Sequence, residues 1–387
     1  MLRAAALILV MAGAGIRYCP VSWSPVLLSV AAFLSVAAWR ARHAWAKPGM
    51  AWLAAVFVAL AVFEGYLGHQ ERAGDGTTME GTITRGFNQR DDVLGYVPDK
   101  ASQVTARKRY GEEVIYDVTY TIGADGLRVR PGTNAVTPAS SVVFFGDSIT
   151  FGEGVNDDEA FPYLVGRAGA DRFVAYNFAF SGYGPHQMLA TLQNGLIDSR
   201  AVPAPTHFIY LAIVQHVKRV AGLARWDRHG PRFRLDAAGT PVRDGYFDSP
   251  KQLFGRWQVP DWAVAALDEF HTWRRFFGRS RDPDEADLEL FIGVVIESAR
   301  LAREQYPGST FHVILWDGSD DPRIETIARR LTAAGIAVER LTSVIPDFTA
   351  DDSRYLLSPH DGHPNPLMHQ RLAEYILRRI VLAVPGG

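Results

Sequence analysis

From residue 141 to the C-terminus, short apolar runs alternate with amphipathic stretches of helical period, and this alternation constrains the fold more than any other feature. Candidate strands are Ser141–Phe145, Arg172–Phe178, Thr206–Val214, Thr310–Trp316 and Ala337–Leu341. Candidate helices lie at Phe161–Ala168, His186–Leu196, Asp287–Gln305, Pro322–Ala334 and Pro366–Val381. In the last of these Met368, Leu372, Tyr375, Ile376 and Ile380 recur at helical spacing and form one apolar face. Pro307-Gly308 ends the long helix ahead of the fourth strand. Strands alternating with helices predict an α/β fold, a parallel five-stranded sheet covered by helices on both faces. Residues 222–285 interrupt the pattern with a predicted hairpin at Phe233–Val242 and a predicted helix near Trp262–Phe277. An insertion of that length over a sheet edge suits a lid or a substrate-binding cap.

Residues 1–70 have a different composition. Apolar stretches run over about 4–16, 21–38 and 50–68. A spanning helix takes about 20 apolar residues; the second and third stretches meet that, and the first needs its flanks. The link Trp39–Lys47 is basic and edged by tryptophans, which places it on the cytoplasmic side with its indoles at the interface. The third helix then carries the main domain out of the cytoplasm. The expected location is the bacterial inner membrane, multi-pass, with the main domain on the periplasmic side. A cleaved signal peptide is the alternative for residues 1–16, opposed by the two later apolar segments and the lack of a small-x-small site. Glu64, near the far end of the third stretch, is expected to reach the interface.

Residues 71–90 are polar and Gly-rich and read as a linker, and 91–140 as a small β-rich accessory segment. Within it Val114–Ile122 alternates in strand fashion, and Gly111 turns the chain back from Gln103–Tyr110. The main domain is expected over 141–387. A formal net charge of −2 leaves no basic field for nucleic acid. The single cysteine, Cys19, excludes an internal disulfide framework.

The most informative stretch is Val142-Val-Phe-Phe-Gly146-Asp147-Ser148-Ile-Thr-Phe-Gly152. An apolar strand runs straight into Gly-Asp-Ser. In open α/β sheets ligands bind beyond the carboxyl ends of the strands, which is where Ser148 falls. A serine hydroxyl becomes a nucleophile only when an adjacent base takes its proton. The alternative is an ordinary strand-to-helix turn in which Asp147 or Ser148 caps the next helix.

A base is available near the C-terminus, in Ser358-Pro-His360-Asp361-Gly362-His363-Pro364-Asn365-Pro366. Asn365 suits an N-cap and Pro366 the first helical position. His363, held before a proline, is biased to an extended loop. Asp361 lies two residues earlier and can accept the other imidazole N–H, fixing tautomer and orientation. Two alternatives stand beside this: His360, Asp361 and His363 as metal ligands, or plain helix-capping residues.

Together these blocks resemble the SGNH (GDSL-type) superfamily of serine esterases and acyltransferases, over about residues 141–381 without the insertion. Gly146-Asp147-Ser148 is similar to the block carrying the nucleophile and one oxyanion-hole N–H. Asn177-Phe-Ala-Phe-Ser-Gly182-Tyr-Gly184 is similar to the second, which makes Gly182 a backbone oxyanion donor. Asp361-Gly-His363 is similar to the last, carrying acid and base. The third block departs: where the family has Gly-x-Asn-Asp, this chain has Ile213-Val-Gln215-His216. Gln215 aligns with the donor Asn, His216 is the other candidate, and the remaining alternative is that both are structural; His186, at the start of the helix after the second block, reads equally as structural or substrate-contacting.

The resemblance implies a flavodoxin-like three-layer sandwich without cofactor or metal, and Asp92–Arg128 further resembles bacterial membrane-anchored members. It implies a Ser148–His363–Asp361 triad, an oxyanion hole of Ser148, Gly182 and Gln215, and Asp147, His216 and His186 as further substrate-contacting candidates. The expected activity is hydrolysis of an acyl ester, such as an O-acetylated envelope glycan or a lipid. The alternatives are O-acyl transfer to an envelope polysaccharide and a catalytically silent glycan-binding or assembly protein. Oligomeric state stays open.

Overall fold

The computed structural model describes residues 24–40, 43, 46–73, 76–132, 138, 140–200, 202–249, 252–253, 257–258, 270 and 282–383. The chain divides into two compact units, residues 1–75 with 250–280, and residues 76–249 with 281–387.

The first unit holds helices α1 (Ser24–Arg40) and α2 (Ala46–Ala73), which pack on each other. Leu27, Ala31 and Ala38 of α1 are buried, as are Ala54, Ala61 and Glu64 of α2. The outer faces stay apolar: Phe33, Val36, Trp39, Trp52, Val62 and Tyr66 are exposed. Ala46–Leu67 is long and apolar enough to cross a membrane, whereas Leu27–Arg40 is shorter. Glu64 does not reach outward as expected, because it lies on the same helical face as Ala54 and Ala61 and is fully enclosed. The stretch at 4–16 and, apart from residue 270, the helix expected near 262–277 lie outside the described residues.

The second unit begins with β1 (Thr77–Glu80), β2 (Asn88–Asp91), β3 (Gly95–Pro98), β4 (Ser102–Tyr110) and β5 (Glu113–Ile122). β1, β4 and β5 form one antiparallel sheet; β2 and β3 form a separate hairpin. A two-residue turn opening with Gly111 at φ 55° joins β4 to β5. Along β5, Tyr116, Val118, Tyr120 and Ile122 alternate inward and join the core. The stretch expected as a linker, 71–90, thus contains the end of α2 and two strands. Thr77–Glu80 pairs along the edge of β4 with most of its side chains exposed, so no apolar pattern marks it.

The main sheet follows, with β6 (Ser140–Phe145), α3 (Ser148–Phe151), α4 (Phe161–Ala168), β7 (Val174–Asn177), α5 (Pro185–Gln193), β8 (Ala204–Ala212) and α6 (Gln215–Val220). A hairpin, β9 (Pro231–Leu235) and β10 (Pro241–Tyr246), follows; the next two-residue pair, β11 (Gln252–Leu253) and β12 (Trp257–Gln258), belongs to the first unit. Then come α7 (Glu285–Gln305), β13 (Thr310–Leu315), α8 (Arg323–Ala333), β14 (Ala337–Arg340), α9 (Leu341–Val344), β15 (Leu356–Ser358), β16 (Asp361–Pro364) and α10 (Pro366–Ile376).

All pairings in the five-stranded sheet are parallel, in the order β7-β6-β8-β13-β14. The expected α/β fold with a parallel five-stranded sheet is present. Val143 and Phe145 point to a core shared with α5, α7 and α8, while Val142 and Phe144 point to one shared with α4 and α10. Strand order reverses between β6 and β8, which opens a crevice at their carboxyl ends.

Candidate active site

β6 delivers the chain to that crevice and stops at Gly146, whose φ is 153°. A Cβ at Gly146 would run into the Thr150 side chain, so only glycine lets α3 fold back this tightly. Asp147 caps α3 by accepting from Ile149 N–H at 3.0 Å. Asn177, at the end of β7, donates to the Thr150 carbonyl at 2.9 Å and accepts from Ala179 N–H at 3.1 Å. Arg128, buried, donates to the carbonyls of Phe151, Gly152 and Val155 at 2.7–2.8 Å. The turn carrying Ser148 is therefore bonded from both sides.

His363 reaches Ser148 from the far end of the chain. The stretch expected as a loop is instead a hairpin of β15 and β16, and it ends where Asn365 caps α10 through Met368 N–H at 3.1 Å. His363 Nε2 lies 2.9 Å from Ser148 Oγ, and His363 Nδ1 lies 2.6 Å from Asp361 Oδ1. With Nδ1–H donating to Asp361, Nε2 is left to accept from the serine hydroxyl. Asp361 also accepts from the His363 backbone N–H at 3.0 Å and from Lys108 Nζ, on β4, at 2.9 Å. Burial pushes the Asp361 carboxyl up, but His363, Lys108 and that N–H outweigh it and hold it well below the usual range. Burial lowers the His363 imidazole, yet Asp361, Glu153 and Asp147 together raise it above its ordinary value.

A second set of groups lies behind Ser148. Asp147 Oδ2 accepts from Arg219 Nη1 at 2.7 Å and lies 3.3 Å from His216 Nε2. His216 Nδ1 lies 2.6 Å from the Tyr210 hydroxyl and 3.4 Å from Ile213 N–H, which fits an Nε2–H tautomer directed at Asp147. Burial takes His216 down to about 4, so it is neutral at pH 7.

An open cleft of about 520 Å³ lies over Ser148. Lys108, Gln215, Arg219 and His363 line it together with an apolar wall of Ile213, Val214, Trp316 and Phe348. Gln215 is exposed at the start of α6 and lines this cleft. Two expected contacts change role. His186 and His216 were candidates for touching substrate, but neither is exposed: His186 bonds Asp227 at 2.7 Å, and His216 supports Asp147. Asp147 borders the cleft but spends its oxygens on Ile149 and Arg219. His360, the third member of the metal alternative, stacks on Tyr110 at 3.5 Å, and among the described residues no three such side chains converge.

No protein-family model and no curated protein sequence matches the chain. Among solved structures it is similar to an α/β hydrolase from the metagenome of Lake Arreo, Spain (15% identity, TM-score 0.33, covering 62% of this chain and 95% of that one). It is also similar to an acetyl xylan esterase from the rumen bacterium Butyrivibrio proteoclasticus (14%, 0.32, 65% and 67%). A third likeness is to an acetylxylan esterase from Geobacillus stearothermophilus (14%, 0.32, 63% and 95%). Likenesses this distant carry no argument about chemistry, which rests on the residues.

Sequence reasoning missed Lys108, Arg219, Arg128 and the orienting role of Asn177. Two had a signal. Lys108 continues the inward face of Val104 and Ala106 on an alternating strand, and Arg219 sits one helical turn beyond His216. The Arg128 contacts join segments far apart in the chain and leave no local pattern.

Proposed function

We propose that the chain is a serine-dependent ester hydrolase of the SGNH type. Ser148 is the nucleophile, His363 its general base and Asp361 the group that orients the base. One observation carries the reading: an unbroken Ser148–His363–Asp361 hydrogen-bond chain of 2.9 and 2.6 Å spanning 215 residues of sequence. His363 takes the serine proton as Oγ attacks the ester carbonyl, then returns it to the leaving alcohol. Water repeats the cycle on the acyl-enzyme.

Unspent donors support an oxyanion hole at Ser148, Gly182 and Gln215. The N–H groups of Ser148 and Gly182 have no acceptor among the described residues. Tyr96 donates its hydroxyl to the Ser181 carbonyl at 2.8 Å. In a trans peptide the following N–H points the opposite way, so this bond aims Gly182 N–H away from Tyr96. Gln215 supplies the third donor, one methylene longer than the asparagine of the family block. The apolar helix Ala46–Leu67 and the exposed apolar faces of α1 and α2 support a membrane anchor. Periplasmic placement and an acyl ester of the envelope, glycan or lipid, complete the proposal.

The test is covalent labelling of the full-length chain, in detergent, by a fluorophosphonate probe, alongside turnover of an aryl acetate. Labelling should occur at Ser148 and vanish in Ser148→Ala. Equal labelling of parent and variant rejects Ser148. Labelling without turnover, restored by an added sugar acceptor, favours acyl transfer instead.

A further inference from the structure

The accessory hairpin reaches into the catalytic hairpin at three points. Lys108 on β4 bonds Asp361, Tyr110 at its end stacks on His360, and Glu113 on β5 accepts from Ser358 Oγ at 3.5 Å. Of these three contacts, the one from Lys108 reaches the triad. Asp361 is nearly sealed, with 1% of its side chain exposed, and its two oxygens are divided, Oδ1 to His363 and Oδ2 to Lys108 at 2.9 Å. The ammonium side chain is itself only 18% exposed, on the inward face that Val104 and Ala106 begin.

We infer that Lys108 is a positioning residue of the catalytic triad, a cation supplied by the accessory β segment that fixes the Asp361 carboxylate and opposes protonation of His363. This rests on the reading of Ser148 and His363 as nucleophile and base. The physical reason is shared occupancy. The Lys108 ammonium and a His363 imidazolium would be like charges on opposite oxygens of one carboxylate. The groups around the imidazole are otherwise acidic: Asp361 at 2.6 Å, Glu153 at 4.0 Å from Nε2, and Asp147 behind Ser148. His369 on α10 is buried and carries no charge at neutral pH, its imidazole pushed down to about 3 by burial. Arg219 is committed to Asp147 and the Tyr183 carbonyl. Lys108 is thus the cation bonded directly to the triad acid. It works against the three carboxylates, whose charge favours the protonated imidazole.

The test is the pH dependence of fluorophosphonate labelling of the full-length chain, whose acid limb reports the base in the free enzyme. In Lys108→Met the limb should move up by about one pH unit, slowing labelling roughly tenfold near pH 6 and much less above pH 8. Lys108→Arg, which keeps the charge, should keep the parental limb even if its plateau falls. Lys108→Gln keeps a donor for Oδ2 without the charge, and should shift like methionine; it takes over the test if the methionine variant fails to fold. A limb unmoved, or moved down, in the folded uncharged variants overturns the inference while Ser148-dependent labelling of the parent stands. Loss of Ser148-dependent labelling in the parent itself removes the catalytic reading and this inference with it.

Discussion

Two buried aspartates flank Ser148, and each holds a histidine and a cation. Asp361 is joined to His363 and Lys108; Asp147 is joined to His216 and Arg219. Both carboxyls are held below their ordinary range, because bonded donors and cations outweigh the burial that pushes them up. The histidines diverge. His363 keeps a quarter of its side chain exposed, faces Ser148 and has its basicity raised. His216 is sealed, stacked beside Tyr210, and pushed down to about 4. Similar ingredients thus give a cleft-facing imidazole of raised basicity on one side and a neutral strut on the other. What separates them is access to the cleft and the second carboxylate, Glu153, 4.0 Å from His363 Nε2.

The strongest way to break this comparison is to remove one aspartate's charge at a time. Asp361→Asn puts an amide opposite His363 Nδ1. An amide N–H there would favour the tautomer whose Nε2 carries the proton and cannot accept from Ser148. Labelling should fall by about 10³ or more, measured as the second-order rate with the probe at pH 8. A loss under tenfold would mean that Asp361 does not set the tautomer.

Asp147→Asn should act on the fold instead. The asparagine oxygen can still cap α3 at Ile149, but Arg219, with 12% of its side chain exposed, loses its countercharge. Breaking a buried pair from one side costs about 3 kcal/mol, which lowers the thermal midpoint by roughly 8 °C. Labelling should stay within tenfold of the parent. If Asp147→Asn instead slows labelling as much as Asp361→Asn, the two aspartates are not functionally distinct.

The same contrast explains what could be read from residues alone. The five strands and the helices between them were legible because each buries a continuous run or a periodic face, and burial needs only local pattern. The contact of Ser148 with His363 and Asp361 was legible because an apolar strand runs into Gly-Asp-Ser at the carboxyl edge of the sheet, and because a carboxylate and an imidazole two residues apart can bond locally. The support around them was not. Lys108 sits in Arg107-Lys-Arg109, which reads as a solvated face until the strand's alternation is followed through it. Arg128 and Asn177 act on backbone carbonyls of another segment, and a carbonyl has no sequence signature. His216 and His186 stayed open between a structural role and a substrate contact for a related reason: a histidine beside a motif looks functional, and only burial shows that its ring is spent on Tyr210 or Asp227. Glu64 was misread because a helical face, not distance from the end of the apolar stretch, decides where it points.

The finest discrimination lies in the sign of pH linkage. His216 has an unfolded value near 6.5 and a folded value of about 4, caused by burial that the Asp147 carboxylate 3.3 Å away only partly offsets. The folded state therefore resists its protonation. Its contribution to stability is complete above pH 6.5 and is lost as pH falls toward 4. His363 has the opposite sign: raised by its carboxylates, it stabilises most below pH 6.5 and loses that contribution as pH rises through its folded value. His312 and His369 are also pushed down, to about 4 and about 3 respectively, and steepen the acid side of any stability curve. A difference between parent and His216→Gln cancels those shared terms. The glutamine cannot titrate but can still accept from Ile213 and donate to Asp147. It should lower stability at pH 7.5 by about 1 kcal/mol through imperfect packing. The gap should then close by about 1 kcal/mol per pH unit below 6.5, because the parent's unfolded chain takes up a proton at residue 216 that its folded state refuses, whereas the glutamine takes up none in either state. Thermal midpoints from pH 7.5 to 5 decide the point. Parallel curves would mean that His216 does not resist protonation, and the distinction between the two histidines would then rest on cleft access alone.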